Sequence, residues 1–170
     1  MSQKIVLMSS PEYFKVEYSI NPWMVPGTNV DLELAKDQWN GLKRTIEEAG
    51  AEVKVVPPSE NHPDLVFTAN SGIIRGNDVL IANFKFEERR GEEEIYIKWF
   101  KENEYNVSRI PPDYKFEGRG DAFVYGDYLV GSYGVRSDKE ALLYIAEHFE
   151  LEPVIVCLLY TSDAADETTG

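Results

Sequence analysis

Hydrophobic and polar positions along the chain change period several times. Ile5 to Met8 is a short apolar run of strand length. Ser9 to Val30 shows no period and is rich in aromatic residues and proline, which predicts an irregular loop. Leu34, Gln38, Leu42 and Ile46, with Trp39, then fall near helical spacing, with Asp31 placed to cap the helix and Gly50 to stop it. Glu52 to Val56 predicts a strand, ended by Pro57-Pro58. Leu65 to Phe67 with Ile73-Ile74 predicts the next strand region, Gly76-Asn77-Asp78 a hairpin turn, and Val79 to Ala82 the returning strand. A helix follows that turns Ile95, Tyr96, Trp99 and Phe100 inward, and Tyr105 to Ile110 closes the unit. Ala122 to Tyr125, the turn Gly126-Asp127 and Tyr128 to Val130 predict a second hairpin. Asp138 caps a helix through Phe149 whose buried stripe is Leu142, Ile145, Ala146 and Phe149, and Val154 to Val156 begins another closing strand.

The elements therefore come in the order ββαβ, and the order repeats. Val66-Phe67-Thr68-Ala69-Asn70 leading into Gly76 to Ile81 is matched, about fifty residues on, by Phe116-Glu117-Gly118-Arg119-Gly120-Asp121 leading into Gly126 to Val130. Val53 to Pro58 is likewise matched by Val107 to Pro112. The predicted fold class is α/β, built of stacked or radial ββαβ units. In a ring of such units equivalent strand ends point to one place, so Asn70, Glu117 and Asp121 are expected to meet there. No linker or low-complexity stretch divides the chain, which predicts a single domain.

Composition narrows the function classes. The net charge of −13 repels nucleic acid and anionic membrane, so neither is an expected partner; it suits solubility and attracts a small cation. No apolar run reaches membrane-spanning length, and the N-terminus turns polar too soon for a signal peptide, so the expected location is the cytoplasm. The single cysteine, Cys157, excludes an internal disulfide. From Cys157 the run Cys-Leu-Leu-Tyr-Thr-Ser-Asp-Ala-Ala-Asp-Glu resembles the translated end of a common sequencing adapter. On that resemblance residues 1–156 are the native part of one domain, residues 157–170 are a foreign tail, and the native chain continued.

The candidate chemistry lies where the two units match. Glu117 and Asp121 flank a glycine-rich bend, where the backbone turns sharply or approaches a ligand closely. Two carboxylates at this spacing match the forked N–H donors of a planar guanidinium, or are simply two solvated acids. With no His or Cys nearby they make a poor metal site, and no metal is expected. Asn70 and Asn21 are each either turn residues or neutral donor–acceptor pairs facing a ligand. Arg89 begins a helix, an unfavourable place for a cation, which favours anion binding; otherwise Arg89 and Arg90 pair with Glu92 and Glu93. Arg136 follows the bend Gly131-Ser132-Tyr133-Gly134-Val135. His62 and His148 look like surface residues without a catalytic setting.

Taken together, Tyr18 to Met24, Gln38-Trp39, Pro63 to Asn70, Glu88 to Glu92, Phe116 to Ala122 and Gly131 to Arg136 resemble the guanidino-group-modifying enzymes of the α/β-propeller (pentein) class. The dimethylarginine dimethylaminohydrolase-like, arginine deiminase and arginine dihydrolase branch is the most similar. The resemblance implies a closed ring of five ββαβ units, of which this chain supplies about the first half. It also implies C–N hydrolysis of arginine or a methylarginine by a cysteine nucleophile and a histidine proton shuttle, without a cofactor. Glu117 and Asp121 would orient the guanidinium, Asn21 and Asn70 would contact the substrate, and Arg89 and Arg136 would hold its α-carboxylate. Asn at position 70, where many relatives carry an acid, is similar to the arginine dihydrolases. The family's histidine and cysteine fall beyond Val156, so the fragment itself is expected to be inactive. An amidinotransferase of the same fold and a non-catalytic propeller binding a macromolecular partner are the alternatives. The sequence sets no oligomeric state.

Overall fold

A computed structural model of the protein describes residues 4–158. β1 (Ile5–Ser9) pairs in parallel with β2 (Glu52–Val56) across α1 (Leu32–Glu48), with Ile5 opposite Glu52 and Ser9 opposite Val56. β3 (Gly72–Arg75) and β4 (Asp78–Ile81) form a hairpin; after α2 (Glu87–Arg90) and α3 (Glu92–Glu102) the chain returns as β5 (Asn106–Arg109), parallel to β4. β6 (Ala122–Tyr125) and β7 (Tyr128–Tyr133) repeat the hairpin, and after α4 (Lys139–His148) β8 (Glu152–Cys157) lies parallel to β7. The two ββαβ units thus share strand order and register sense, as the sequence pattern predicts, and β1–α1–β2 has the same order without the leading strand.

Helix termini show how local chemistry makes each unit. Asp31 caps α1 by accepting the Leu34 amide at 3.0 Å. All three long helices end in the same paired bonds, Ala51 N–H to Ile46 O, Tyr105 N–H to Phe100 O and Leu151 N–H to Ala146 O, each around a left-handed residue: Gly50, Glu104 or Glu150. This Schellman arrangement satisfies the last carbonyls and turns the chain back into the next strand.

The core lies between successive units. One face of the β3–β5 sheet, with Val79 and Ile81, packs on Tyr96, Trp99 and Phe100 of α3 and on Val56 and Leu65 of the first unit. The opposite face, with Ile73 and Leu80, packs on Phe116, Leu129, Leu142 and Ile145 of the next unit. Each such aliphatic side chain contributes about 1.5–3 kcal/mol of burial.

One expected strand is absent. Leu65 to Phe67 is not a strand: Pro63–Val66 and Thr68–Ser71 are 3-10 turns. Tyr96 Oη donates to Leu65 O at 3.0 Å and Thr68 Oγ1 to Leu7 O at 2.7 Å, so tertiary bonds replace a ladder here. On α1, which packs on β2 and on the 3-10 turn Pro11–Tyr13, Leu34 and Leu42 are exposed while Trp39 and Ile46 are half-buried. β8 runs through Cys157, which pairs with Tyr133, so position 156 falls inside a strand; residues 159–170 of the expected foreign tail lie outside the described residues.

Candidate functional site

The loops at equivalent strand ends enclose a cavity of about 660 Å3, walled by Asn21, Asn70, Arg89, Glu117, Asp121 and Arg136 together with Asp64, Ser137 and apolar side chains that include Phe14, Phe67 and Trp23. All six residues singled out in the sequence therefore meet at one place. The volume is in the range of small-molecule sites.

Glu117 and Asp121 flank the 3-10 turn Gly118–Gly120. Gly118 adopts φ +65°, and a Cβ there would lie 2.6 Å from the main-chain carbon of Asn70, so this close crossing of the two units requires glycine. Asn70 uses the crossing: its Nδ2 donates to Glu117 O at 2.8 Å, with the side chain buried. Glu117 is 1% exposed, and among the described residues its Oε1 has no hydrogen-bond donor. Burial pushes the Glu117 carboxyl above the ordinary carboxylate range, while the nearby Arg136 and Arg89 guanidinium groups pull it back.

Asp121 does not stand beside Glu117 as a second open arm of a fork. Ser137 Oγ donates to its Oδ2 at 2.6 Å, and Arg136 Nη2 donates to its Oδ1. Arg136 Nη1 then reaches Glu117 Oε2 at 3.6 Å. The fork expected from two free carboxylates is thus replaced by an acid committed to an arginine.

Arg89 is also more committed than its sequence position suggests. Its Nε and Nη2 grip both oxygens of Glu92 at 2.8 and 2.7 Å, Nη2 also reaches Asp64 O at 3.3 Å, and its guanidinium lies 4.5 Å from the Phe84 ring centroid. Among the described residues Nη1 is the nitrogen left for another partner. Arg90 pairs with Glu87 rather than Glu93, whose Oε1 accepts the Phe84 amide. At the cavity mouth Asn21 Oδ1 accepts the Trp23 amide at 3.0 Å, which leaves the Asn21 Nδ2 donors for a ligand.

Two wall residues escape the sequence reading. Asp64 is 3% exposed, in the 3-10 turn Pro63–Val66, and burial pushes its carboxyl up despite Arg89. Ser137 is 3% exposed, and its hydroxyl also accepts the Glu117 amide at 3.0 Å. Asp64 lies within the Pro63–Asn70 segment that carries the resemblance but was given no role there, and no local motif marks Ser137; both matter through partners distant in sequence. His62, hydrogen-bonded to Ser59, and His148, stacked on Tyr144, lie away from the cavity wall, as does the exposed Cys157. Among the described residues no cluster of His, Cys, Asp and Glu is arranged to hold a metal ion, and no helix is long and apolar enough to cross a membrane.

The chain is similar to known proteins over most of its length. The bifunctional arginine dihydrolase/ornithine cyclodeaminase ArgZ of Synechocystis is 40% identical over 157 residues, which is 91% of this chain and 22% of that one. The N(G),N(G)-dimethylarginine dimethylaminohydrolase of Mycobacterium tuberculosis is 36% identical over 139 residues, covering 82% of this chain and 45% of that one. The chain thus spans less than half the length of either relative. The crystal structure of the N-terminal domain of ArgZ, as a Cys→Ser variant bound to substrate, superposes with a TM-score of 0.85 at 40% identity, covering 91% of this chain and 58% of that one. The profile of the eukaryotic N,N dimethylarginine dimethylhydrolase family matches residues 22–165, and with that span of the sequence accounted for, the chain belongs to this family.

Proposed function

We propose that this chain carries the substrate-gripping part of a hydrolase that opens the guanidino group of arginine or a methylarginine. The observation that carries the reading is Glu117 Oε1, a buried carboxylate oxygen on the cavity wall without a donor. A buried acceptor of this kind favours a cationic N–H donor, and a guanidinium supplies several in one plane. Asn70 has its amide nitrogen committed to Glu117 O and so offers Oδ1 as a second acceptor. Arg89 and Arg136 take the α-carboxylate, Asp64 its ammonium, and Asn21 Nδ2 a further oxygen at the mouth. Asp121 acts through Arg136.

On this reading a cysteine thiolate attacks the guanidine carbon, and the carbon–nitrogen bond to the departing amine breaks as a histidine gives that amine its proton. Water, deprotonated by the same histidine, then displaces the thiolate. Both groups come from chain beyond the described residues. The apolar side chains of the wall limit competing water while Glu117 holds the guanidinium plane.

The same reading takes the two ββαβ units and β1–α1–β2 as successive members of a closed five-unit ring. Support comes from the β6–β8 sheet, whose outward Phe123, Val154 and Val156 are exposed where the equivalent face of the β3–β5 sheet is covered.

Titrating the chain with L-arginine by NMR tests the site: shifts centred on Glu117 and Asn70, lost in Glu117→Gln, are expected, and no binding at millimolar arginine sinks it. Ornithine and ammonia from a longer chain carrying the nucleophile are the expected products; a new guanidino compound instead identifies an amidinotransferase.

A further inference from the structure

Four side chains and one main-chain amide close a cycle on the cavity wall. Glu117 N–H donates to Ser137 Oγ at 3.0 Å, Ser137 Oγ–H donates to Asp121 Oδ2 at 2.6 Å, Asp121 Oδ1 accepts from Arg136, and Arg136 Nη1 returns to Glu117 Oε2 at 3.6 Å. A hydroxyl has one proton, so giving it to a carboxylate obliges Ser137 to use a lone pair toward the Glu117 amide. The bonds therefore leave Ser137 a single hydroxyl orientation. Arg136 and Ser137 are neighbours in sequence and take the two different oxygens of one acid, which fixes the plane of the Asp121 carboxylate and, through it, the guanidinium of Arg136. Ser137 and Glu117 are buried, at 3% and 1% exposure, while the side chain of Arg136 is 36% exposed. The long, half-exposed arginine is thus tied to the buried part of the wall through Asp121.

We propose that Ser137 is a positioning residue: by bridging the main chain of Glu117 to Asp121 it holds the Asp121 carboxylate, and with it the Arg136 guanidinium, in one orientation on the cavity wall beside Glu117. This deepens the proposed function and rests on it for the ligand, but the bridging itself is readable without one. Removing the hydroxyl leaves the buried Glu117 amide without its acceptor and frees one Asp121 oxygen, so Arg136 swings toward solvent. Ser137→Ala is expected to weaken L-arginine binding about tenfold.

The experiment compares the wild-type chain, Ser137→Ala, Ser137→Thr and Asp121→Asn. Two quantities are measured: L-arginine affinity by calorimetry, and hydrogen exchange of the Arg136 Nη hydrogens by nitrogen-15 NMR without ligand. Slow Arg136 exchange in the wild type, fast exchange and weak binding in Ser137→Ala, and recovery of both in Ser137→Thr are expected. Unchanged affinity and unchanged Arg136 exchange in Ser137→Ala overturn the proposal, and so does failure of Ser137→Thr to restore either. If Ser137→Ala does not fold, Asp121→Asn, which keeps the volume, decides: fast Arg136 exchange supports the bridge, unchanged exchange overturns it. If the wild-type chain takes up no arginine, the reading of the ligand fails while the exchange measurement still judges Ser137.

Discussion

Asn70 Nδ2 donates to the main-chain oxygen of Glu117 at 2.8 Å, and this bond joins consecutive ββαβ units at the floor of the cavity. A carboxylate at position 70 has no proton to give, so Asn70→Asp sets an anion against a carbonyl and beside Glu117. The variant is expected to lose about 2 kcal/mol at neutral pH. Its introduced acid binds a proton more tightly in the fold than when unfolded, since only the protonated form can donate. The lost stability is therefore regained as pH falls through that raised value. Urea unfolding followed between neutral and acidic pH checks the sign.

Glu117 is expected to trade stability for binding. Burial raises its carboxyl pKa in the fold, above the value in the unfolded chain. A group shifted in this direction lends stability fully below the unfolded pKa and loses it as pH rises through the folded one. At neutral pH the ionised carboxylate is a deficit, which Glu117→Gln removes. The variant is expected to be more stable by about 1 kcal/mol at pH 7. That advantage should vanish below the ordinary carboxylate range, and L-arginine binding should fall at least about tenfold. Melting curves across pH, with a binding titration, test both halves.

The Arg89–Glu92 pair is almost fully buried, with side chains 4% and 0% exposed. Its partners sit on either side of Gly91, where α2 passes into α3, and so tie the cavity wall to the α3 core. Glu92→Ala leaves the guanidinium buried against Phe84 without its fork, an expected cost of about 3–5 kcal/mol by chemical denaturation. Replacing both residues with apolar ones of similar size should recover most of that stability while arginine binding stays lost.

How far the sequence carried the reading depends on the range of each interaction. The hairpins, the helices and the repeat were legible because turns and periodicity are local, and the repeat was enough to bring Asn70, Glu117 and Asp121 together; Asn21, Arg89 and Arg136, which line the same cavity, were placed there by the family resemblance and not by the repeat. The segment Leu65-Val66-Phe67 was not legible, since its apolar run suits a strand while its backbone bonds go to Tyr96 and neighbouring turns. Periodicity found a real helix at α1 but could not say whether another element covers Leu34 and Leu42. The commitments of Asp121 to Ser137 and of Arg89 to Glu92 depend on rotamers and burial that no spacing encodes.

The three helix ends make a controlled comparison. Gly50, Glu104 and Glu150 occupy the same left-handed position with φ 87°, 64° and 52°. Glycine alone adopts it without a Cβ penalty. Glu104→Gly and Glu150→Gly are each expected to stabilise the chain by about 0.5–1 kcal/mol, and Gly50→Glu to destabilise it similarly. Thermal melts of the three single variants decide this; a loss of stability in both glycine variants contradicts it.

The repeat also tells how the two ends of the described chain behave. Ile73 and Leu80 lie opposite each other on the outer face of the β3–β5 sheet and are 3% and 0% exposed, because the next unit covers them. Phe123 and Val130 pair in the same way on the β6–β8 sheet, next to Val154 and, one step along, Val156. Here Phe123 is 44% exposed and Val156 55% exposed. At the other end, Leu34 and Leu42 of α1 are 53% and 55% exposed. In the proposed ring these are the two complementary sides of one recurring contact, a helix-bearing unit laid on the sheet before it. Apolar faces of that kind associate when nothing covers them. The 170-residue chain is therefore expected to self-associate head to tail with rising concentration. Phe123→Glu combined with Val156→Lys should shift it toward monomer without lowering its melting temperature, because neither side chain supports the described core. Sedimentation velocity across a hundredfold concentration range is the measurement, and a wild-type chain that stays monomeric throughout refutes the expectation.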